Sequence, residues 1–248
     1  MYQPYREYLI ERHDFLVEQT RVRLLSQFAD IAQQAEEFPD REWDRLQTMP
    51  WGEGVDGSQI AELVQDNSAA QYDLLQGLMF NLMMGALAGI YHEWDRNVRE
   101  HVELELRHNH SISTDEGVVV WQVDFDTLMN WLNQFAWDVR SEPFFPLLDA
   151  ARLIMNVFKH GKGTSFDELA ERYPQYLRGT FHDEDVHEKE ILTLLADHTF
   201  LSLTQSQLVA IGAAIREFWQ KFPASLSLIR PNPFPKPRAK RPKPTDTA

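Results

Sequence analysis

Apolar residues recur at helical spacing through the N-terminal part of the chain. Over residues 5–37 they return every three or four positions, with charged residues between them, and this pattern predicts a long amphipathic helix. Residues 38–57 then contain Pro39, Pro50 and three glycines. These residues interrupt the helical period, so this stretch is predicted to hold a short helix at most and then a loop.

A second helical stretch begins at Ser58, a suitable N-cap for a short helix through Val64. Asn67 or Ser68 can then open a very long helix that continues to Leu106. Its first half is apolar all round and its second half is charged. Residues 74–91 are about as long as a membrane span, with glycines at positions 85 and 89.

Two observations favour a buried core helix over a membrane span for residues 74–91. Gln76 and Asn81 interrupt the apolar run, and aromatic and basic anchors do not flank both of its ends. We therefore expect no membrane association and a helix at the centre of a soluble bundle. The residues expected in its core are Leu78, Met79, Leu82, Met83 and Leu87.

The remaining pattern is mostly helical. Residues 118–121 form a β-branched run that could make one short strand or an extended connection. Four further helices are predicted over residues 125–139, 147–160, 165–173 and 204–222, the third of them starting with a capping box in the letters SFDE. The sequence therefore predicts an all-α protein, a helical bundle with at most one short strand or hairpin.

The C-terminal segment differs from the rest in composition and charge. Residues 230–248 place proline at nearly every second or third position and hold six of the 24 basic residues but only one of the 38 acidic ones. Such a segment cannot build a core and is expected to be disordered. The other 229 residues keep 18 basic and 37 acidic groups. Attraction to nucleic acid would therefore depend on the tail or on a small basic pocket.

These observations suggest three regions and a cellular location. Residues 1–57 form an N-terminal helical segment and loop, residues 58–229 a helical bundle, and residues 230–248 a basic tail. The chain has no cysteine, which excludes disulfides, thiol catalysis and thiolate zinc sites. The N-terminus lacks the apolar stretch of a secretory signal. We expect a cytoplasmic protein.

The candidate chemistry lies on the helix predicted over residues 147–160. Arg152, Asn156 and His160 are spaced four residues apart, so they form one polar stripe on a helix that is otherwise apolar. Lys159 and Lys162 add positive charge beside the imidazole, in an otherwise acidic protein. The alternative is structural: Asn156 and His160 could satisfy buried backbone groups at a helix end.

The run Asn156-x-x-Lys159-His160-Gly161 resembles the polar-x-x-x-His end of HEPN domains, helical bundles of prokaryotic toxins, defence nucleases and CRISPR-associated RNases. The upstream run Tyr-His-Glu-Trp-Asp-Arg at residues 91–96 is similar to an element of such proteins, and the resemblance covers residues 68–223. It implies metal-free RNA cleavage by a dimer, in which histidine provides acid-base catalysis and arginine stabilises phosphate.

The resemblance implies catalytic roles for Asn156, His160 and Arg152, and substrate binding by Lys159 and Lys162. The sequence departs from the HEPN pattern at Met155, where arginine is expected. Arg152 is the nearest upstream arginine, but seven residues separate it from His160. The site is therefore expected to be degenerate.

Metal sites are less well supported. His182 and His187 lie among acidic residues, but their five-residue spacing does not put them on one helical face. His108 and His110 would suit a metal only on a strand with a third ligand nearby. We expect neither a metal nor another cofactor.

Two functional hypotheses follow. The first is a HEPN-like protein of a prokaryotic defence or toxin type system, with a degenerate RNase site or a site that binds RNA or a nucleotide. The second is a non-catalytic helical interaction or scaffold protein. Both include a protein partner or a homodimer. The first requires Arg152 or a lysine to open into one cleft or dimer groove together with Asn156 and His160.

Overall fold

A computed structural model describes residues 1–51, 56–110, 117–178 and 198–226, with the side chains of Ala32, Asn109 and His110 left out. Over these ranges the protein is all-α, and its only β pairing is an isolated bridge between Leu177 and Leu201. The predicted fold class is confirmed. The α-helices are α1 Gln3–Gln19, α2 Ile31–Gln47, α3 Gly57–His110, α4 Val119–Gln122, α5 Phe125–Gln134, α6 Phe145–His160, α7 Thr164–Arg172 and α8 Gln205–Lys221.

The long N-terminal helix predicted over residues 5–37 is wrong, because the chain makes two helices there. A π-helical stretch, Thr20–Leu24, and a 3-10 turn, Leu25–Phe28, separate α1 from α2. The two helices pack against different partners, α1 against α8 and α2 against α3. Helical periodicity does not reveal the break, because the residues on both sides of it are helical.

Helix α2 continues through Pro39, contrary to the predicted loop. A proline within a helix removes one hydrogen bond and costs about 3 kcal/mol, so tertiary contacts must offset it. Glu42 accepts hydrogen bonds from Arg45 Nε and from Asn67 Nδ2 of α3, both at 2.7 Å. The buried Leu46 adds an apolar contact on the same helix.

The two helices predicted after residue 57 are a single helix, α3, of 54 residues. Asp56 caps its start, since its Oδ1 accepts hydrogen bonds from the backbone N–H groups of Ser58 and Gln59. The predicted break near Ser68 is absent. The hydroxyl of Ser68 donates to the Val64 carbonyl at 2.6 Å, an arrangement that a continuing helix accommodates.

The C-terminal half of α3 forms the centre of the core, between α1, α6 and α8. Its inward residues are at most 2% exposed and are Met84, Leu87, Ile90, Trp94, Val98, Val102 and Leu106. Around Trp94, the rings of Trp137, Phe218 and Phe222 form an aromatic cluster with centroids 5.1 to 5.5 Å apart at the closest contacts. The core also takes in Leu9 and Leu25 from residues 1–57.

The strand or extended connection predicted at residues 118–121 is instead the helical turn α4. Arg99 of α3 explains its stability, because Nη1 donates to the carbonyls of Val120 and Val123 at 2.7 and 2.9 Å. A side chain thus satisfies backbone acceptors that a strand would offer to a neighbour. The predicted capping box of α7 is also wrong, since that helix begins at Thr164 and Ser165 lies within its first turn.

The first and last described helices close the bundle together. His13 Nε2 lies 2.7 Å from the Gly212 carbonyl of α8, and a Cβ on Gly212 would lie 2.9 Å from Cγ2 of Val17. Only glycine permits this approach. The Met1 amine donates to the carbonyls of Pro223 and Ala224. The predicted disordered tail, residues 230–248, lies outside the described residues.

Candidate functional site

Helix α6 places the predicted polar stripe against α7. Its apolar face is buried and includes Leu148, Leu153, Ile154 and Val157, so the rotation of the helix is fixed by packing. Gly161 follows at a φ of 71°, a conformation that suits glycine and ends the helix. His160 is therefore the last helical residue, as predicted.

Arg152 is held inside an ion cluster. Its Nε and Nη2 donate to Asp149 Oδ1 at 3.0 and 2.8 Å, and Nη2 also donates to Glu168 at 3.3 Å. The guanidinium carbon lies 5.3 Å from the ring centroid of Phe125. Burial acts to lower the pKa of Arg152, but the hydrogen bond and charge of Asp149, together with the charge of Asp126 and the hydrogen bond to Glu168, outweigh it, so the pKa is raised. Arg152 is therefore committed to intramolecular contacts.

Asp149 is the centre of this cluster and is only 1% exposed. Besides Arg152, it binds Arg172 at 2.5 Å and accepts a hydrogen bond from the Tyr173 hydroxyl at 3.0 Å. Burial, together with the Asp149 charge, raises the pKa of Tyr173 to about 12. We call this group the Asp149 cluster, and it consists of Asp149, Arg152, Glu168, Arg172 and Tyr173. The Asp149 cluster joins α6 to α7 and to Tyr173, which directly follows α7.

The other stripe residues lie toward the open end of α6. Asn156 Nδ2 donates to the Ser165 hydroxyl at 3.3 Å. Lys159 and His160 are exposed, and within the described part of the chain neither makes a hydrogen bond or an ion pair. Lys162 is exposed on the following turn. The structure therefore brings Asn156, Lys159, His160 and Lys162 to one end of the helix.

Arg152 does not join that end. Two helical turns, about 12 Å along the axis, separate it from His160, and its donors face Asp149. Met155, the position where the HEPN pattern has arginine, is 7% exposed and belongs to the apolar core. An arginine there would have to be buried. His160 is exposed, which is contrary to the alternative of a buried structural histidine.

The upstream run at residues 91–96 divides between core and surface. Tyr91 and Trp94 are buried, and burial raises the pKa of Tyr91. Glu93 binds Arg12 of α1 at 2.6 Å, and Asp95 binds Arg99 at 2.8 Å. The first pair joins α3 to α1, whereas Asp95 and Arg99 both lie on α3.

The described residues contain no group of three potential metal ligands. His108 is exposed and its Nδ1 lies 3.0 Å from the Leu104 carbonyl of its own helix. His182, His187 and the side chain of His110 lie outside the described residues.

A feature that the sequence analysis missed is the exposed side of α3. Leu74 is 71% exposed and Leu78 is 51% exposed, although Leu78 was predicted to be in the core. Met79 and Leu82 are half-buried, and only Met83 and Leu87 of the predicted set are buried. The prediction failed because a helix that is apolar all round does not reveal which side its neighbours cover.

We call this surface the α3 face. Its members are exposed and follow each other at three- or four-residue spacing: Ala70, Leu74, Leu78, Asn81, Gly85 and Gly89. Length and composition alone would let α3 cross a membrane, since an 18-residue window has a mean hydropathy of 1.4 and only 28% of it is buried. Such a helix on its own is weak evidence for a span.

No protein family, curated protein or solved structure matches this chain. The HEPN relation remains a prediction from the motif.

Proposed function

We propose that this protein is a non-catalytic helical interaction protein that binds a protein partner through the α3 face. The observation that carries the proposal is the exposure of Leu74 and Leu78 in the most apolar part of the longest described helix. Large contiguous apolar surface on a protein marks interaction sites. The engagement of Arg152 by Asp149 and Glu168 also supports the proposal, because it removes one predicted catalytic group from the exposed end of α6.

The test is photocrosslinking in the native host. A photoreactive amino acid replaces Leu78 in one variant and the exposed Gln220 of α8 in a matched control. We expect a protein adduct of one defined mass from position 78, absent from position 220, and lost when Leu74→Glu is added. Adducts with lipid only, or none at position 78, would remove the proposal.

A second candidate function is RNA or nucleotide binding of the HEPN-like kind at Asn156, Lys159 and His160. It is favoured by one observation: Lys159 and His160 are exposed without an ion-pair partner in the described structure, although the protein as a whole carries a net charge of −14. The exposed ammonium group of Lys159 is available to an anionic ligand.

This candidate is tested with purified protein and mixed RNA, comparing wild type with His160→Ala and Lys159→Ala. If the site acts on RNA, both variants lose cleavage or binding while the melting temperature stays unchanged. Since Met155 is buried, Met155→Arg is expected to destabilise the fold even though it would match the HEPN pattern at that position. Wild type that neither binds nor cleaves RNA would exclude the candidate.

A further inference from the structure

The α3 sequence around Asn81 has a two-fold pattern on the exposed side of the helix. Gly77 and Gly85 lie four residues before and after Asn81, and Leu74 and Ala88 lie seven residues before and after it. Residues at these spacings share one side of a helix. Glycine therefore lies four residues from Asn81 in both directions and an apolar residue seven residues away, with Gly77 and Ala88 half-buried at the edge of the α3 face.

Charges mark both ends of this pattern. Asp66 and Arg96 lie fifteen residues from Asn81 on opposite sides, and both are exposed. Between residues 67 and 91 the only charged residue is Asp73. An antiparallel copy of α3 aligned at Asn81 would place Asp66 level with the partner's Arg96. A parallel copy would place like charges level with each other, which is unfavourable.

Within the described ranges, no neighbouring group accounts for the glycines of this stretch. A Cβ added at Gly77, Gly85 or Gly89 would meet nothing within 4 Å, whereas one at Gly212 would collide with Val17. A glycine within a helix costs about 1 kcal/mol relative to alanine. Glycines on an exposed helix side allow a second helix backbone to approach closely.

From these observations we propose that the α3 face binds the α3 face of a second copy of this chain. The two helices run antiparallel, with the two-fold axis at Asn81 and Gly77 facing the partner's Gly85. This inference rests on the proposed function, since it names the partner of the same surface. The repeat about Asn81 and the opposite charges at its ends make the α3 face complementary to the same face of a second, antiparallel copy.

The area of the contact indicates how tightly the two copies should bind each other. Residues 66–96 span about 45 Å of helix, and a strip about 10 Å wide gives roughly 450 Å² on each copy. The total of roughly 900 Å² lies below the range of stable specific interfaces, about 1,200–2,000 Å², and among weak, transient ones. We therefore expect a dimer that dissociates on dilution.

The first experiment measures the mass of the purified full-length protein by sedimentation over a wide concentration range. The mass should rise from that of one chain, 29.0 kDa, toward twice that value. Gly85→Leu should raise the dimer dissociation constant at least about tenfold, or about 1.4 kcal/mol. Gly85→Ala should weaken the dimer while raising the melting temperature. Ala213→Leu, at an exposed position of α8, is the matched control and should change neither.

The second experiment tests the register. Because the chain has no cysteine, Asn81→Cys introduces a single thiol at the two-fold axis, and mild oxidation should link two copies. Leu74→Cys should not link to itself, since the two thiols would lie about 20 Å apart along the helices. Crosslinking of both variants would mean a parallel pair and would overturn the inference.

The remaining outcomes separate this inference from the proposed function. A purified protein that stays monomeric, while position 78 crosslinks to a different protein in the host, overturns the dimer and leaves the interaction function standing. A monomer without any protein adduct overturns both. Flotation of the wild type with lipid vesicles, lost in Leu78→Glu, would assign the α3 face to a membrane and also overturns both.

Discussion

Asp149 and His160 lie on the same helix and have opposite surroundings. Asp149 is buried among Arg152, Arg172 and Tyr173, while His160 ends the helix in contact with solvent. The sequence indicated His160 as a candidate site residue because of its spacing from Arg152 and Asn156. It did not indicate Asp149, since the importance of that carboxylate depends on Arg172 and Tyr173, which approach it only in the folded chain.

Asp149→Ala should destabilise the protein by about 3 kcal/mol, because it leaves the half-buried Arg152 without its main partner. Glu168→Ala is the matched control: the Glu168 side chain is 45% exposed, so its loss should cost less than about 1 kcal/mol. Urea denaturation of both variants measures the difference. Equal losses of stability in the two variants would mean that the buried Asp149 carboxylate contributes no more than the exposed Glu168 carboxylate.

His160→Ala should change the free energy of unfolding by no more than about 0.5 kcal/mol, because an exposed side chain without partners adds little packing. Urea denaturation beside wild type checks this. A loss of about 2 kcal/mol would show that His160 has a structural role that its exposure does not reveal.

At the scale of elements, α3 joins two environments in one helix. Its C-terminal half packs against α1, α6 and α8 on its inward side and its N-terminal half packs on α2, while the α3 face stays exposed. The apolar pattern predicted a helix correctly in both halves. It could not show where burial ends, because exposed and buried leucines look alike in a sequence.

Leu87→Ala and Leu78→Ala should therefore differ sharply. Leu87 is 0% exposed, so its truncation should cost about 2–5 kcal/mol. Leu78 is 51% exposed, so its truncation should cost under about 1 kcal/mol in dilute monomer. Thermal or urea unfolding at low protein concentration compares them. Similar costs would mean that Leu78 is covered in the monomer.

At the scale of the whole molecule, His101 lies where both ends of the described chain meet. It is 3% exposed, and its ring contacts the rings of Tyr5 from α1 and Phe222 after α8. Neither ring nitrogen has a hydrogen-bond partner in the described structure. Burial first, and then the positive charges of the N-terminal amine and Arg6, lower the pKa of His101 to about 4.

This lowered pKa predicts loss of stability in mild acid. The unfolded chain binds a proton at His101 near pH 6.5, whereas the folded chain binds it only near pH 4. As far as this group is concerned, the free energy of unfolding has its full value above pH 6.5, and it falls as the pH drops from 6.5 toward 4. By about pH 5 it should have lost about 2 kcal/mol, as measured by urea denaturation.

The control for this prediction is His101→Phe, which keeps an aromatic ring beside Tyr5 and Phe222 and removes the titrating group. It should reduce the pH dependence of the free energy of unfolding. A share due to His13 should remain, because burial also lowers the pKa of His13. An unchanged pH dependence in His101→Phe would rule out His101 as the source.

The sequence by itself determined the all-α fold, the approximate limits of α6, α7 and α8, and the polar stripe on α6. These features depend on residues close together in the chain, through periodicity, capping and proline or glycine breaks. The tertiary structure decided the rest. It divided the first helix at residues 20–28, turned the β-branched run at α4 into a helix through Arg99, brought Arg172 and Tyr173 to Asp149, and left the α3 face exposed. Each of these depends on partners distant in the sequence or on the absence of a covering neighbour, and local patterns record neither.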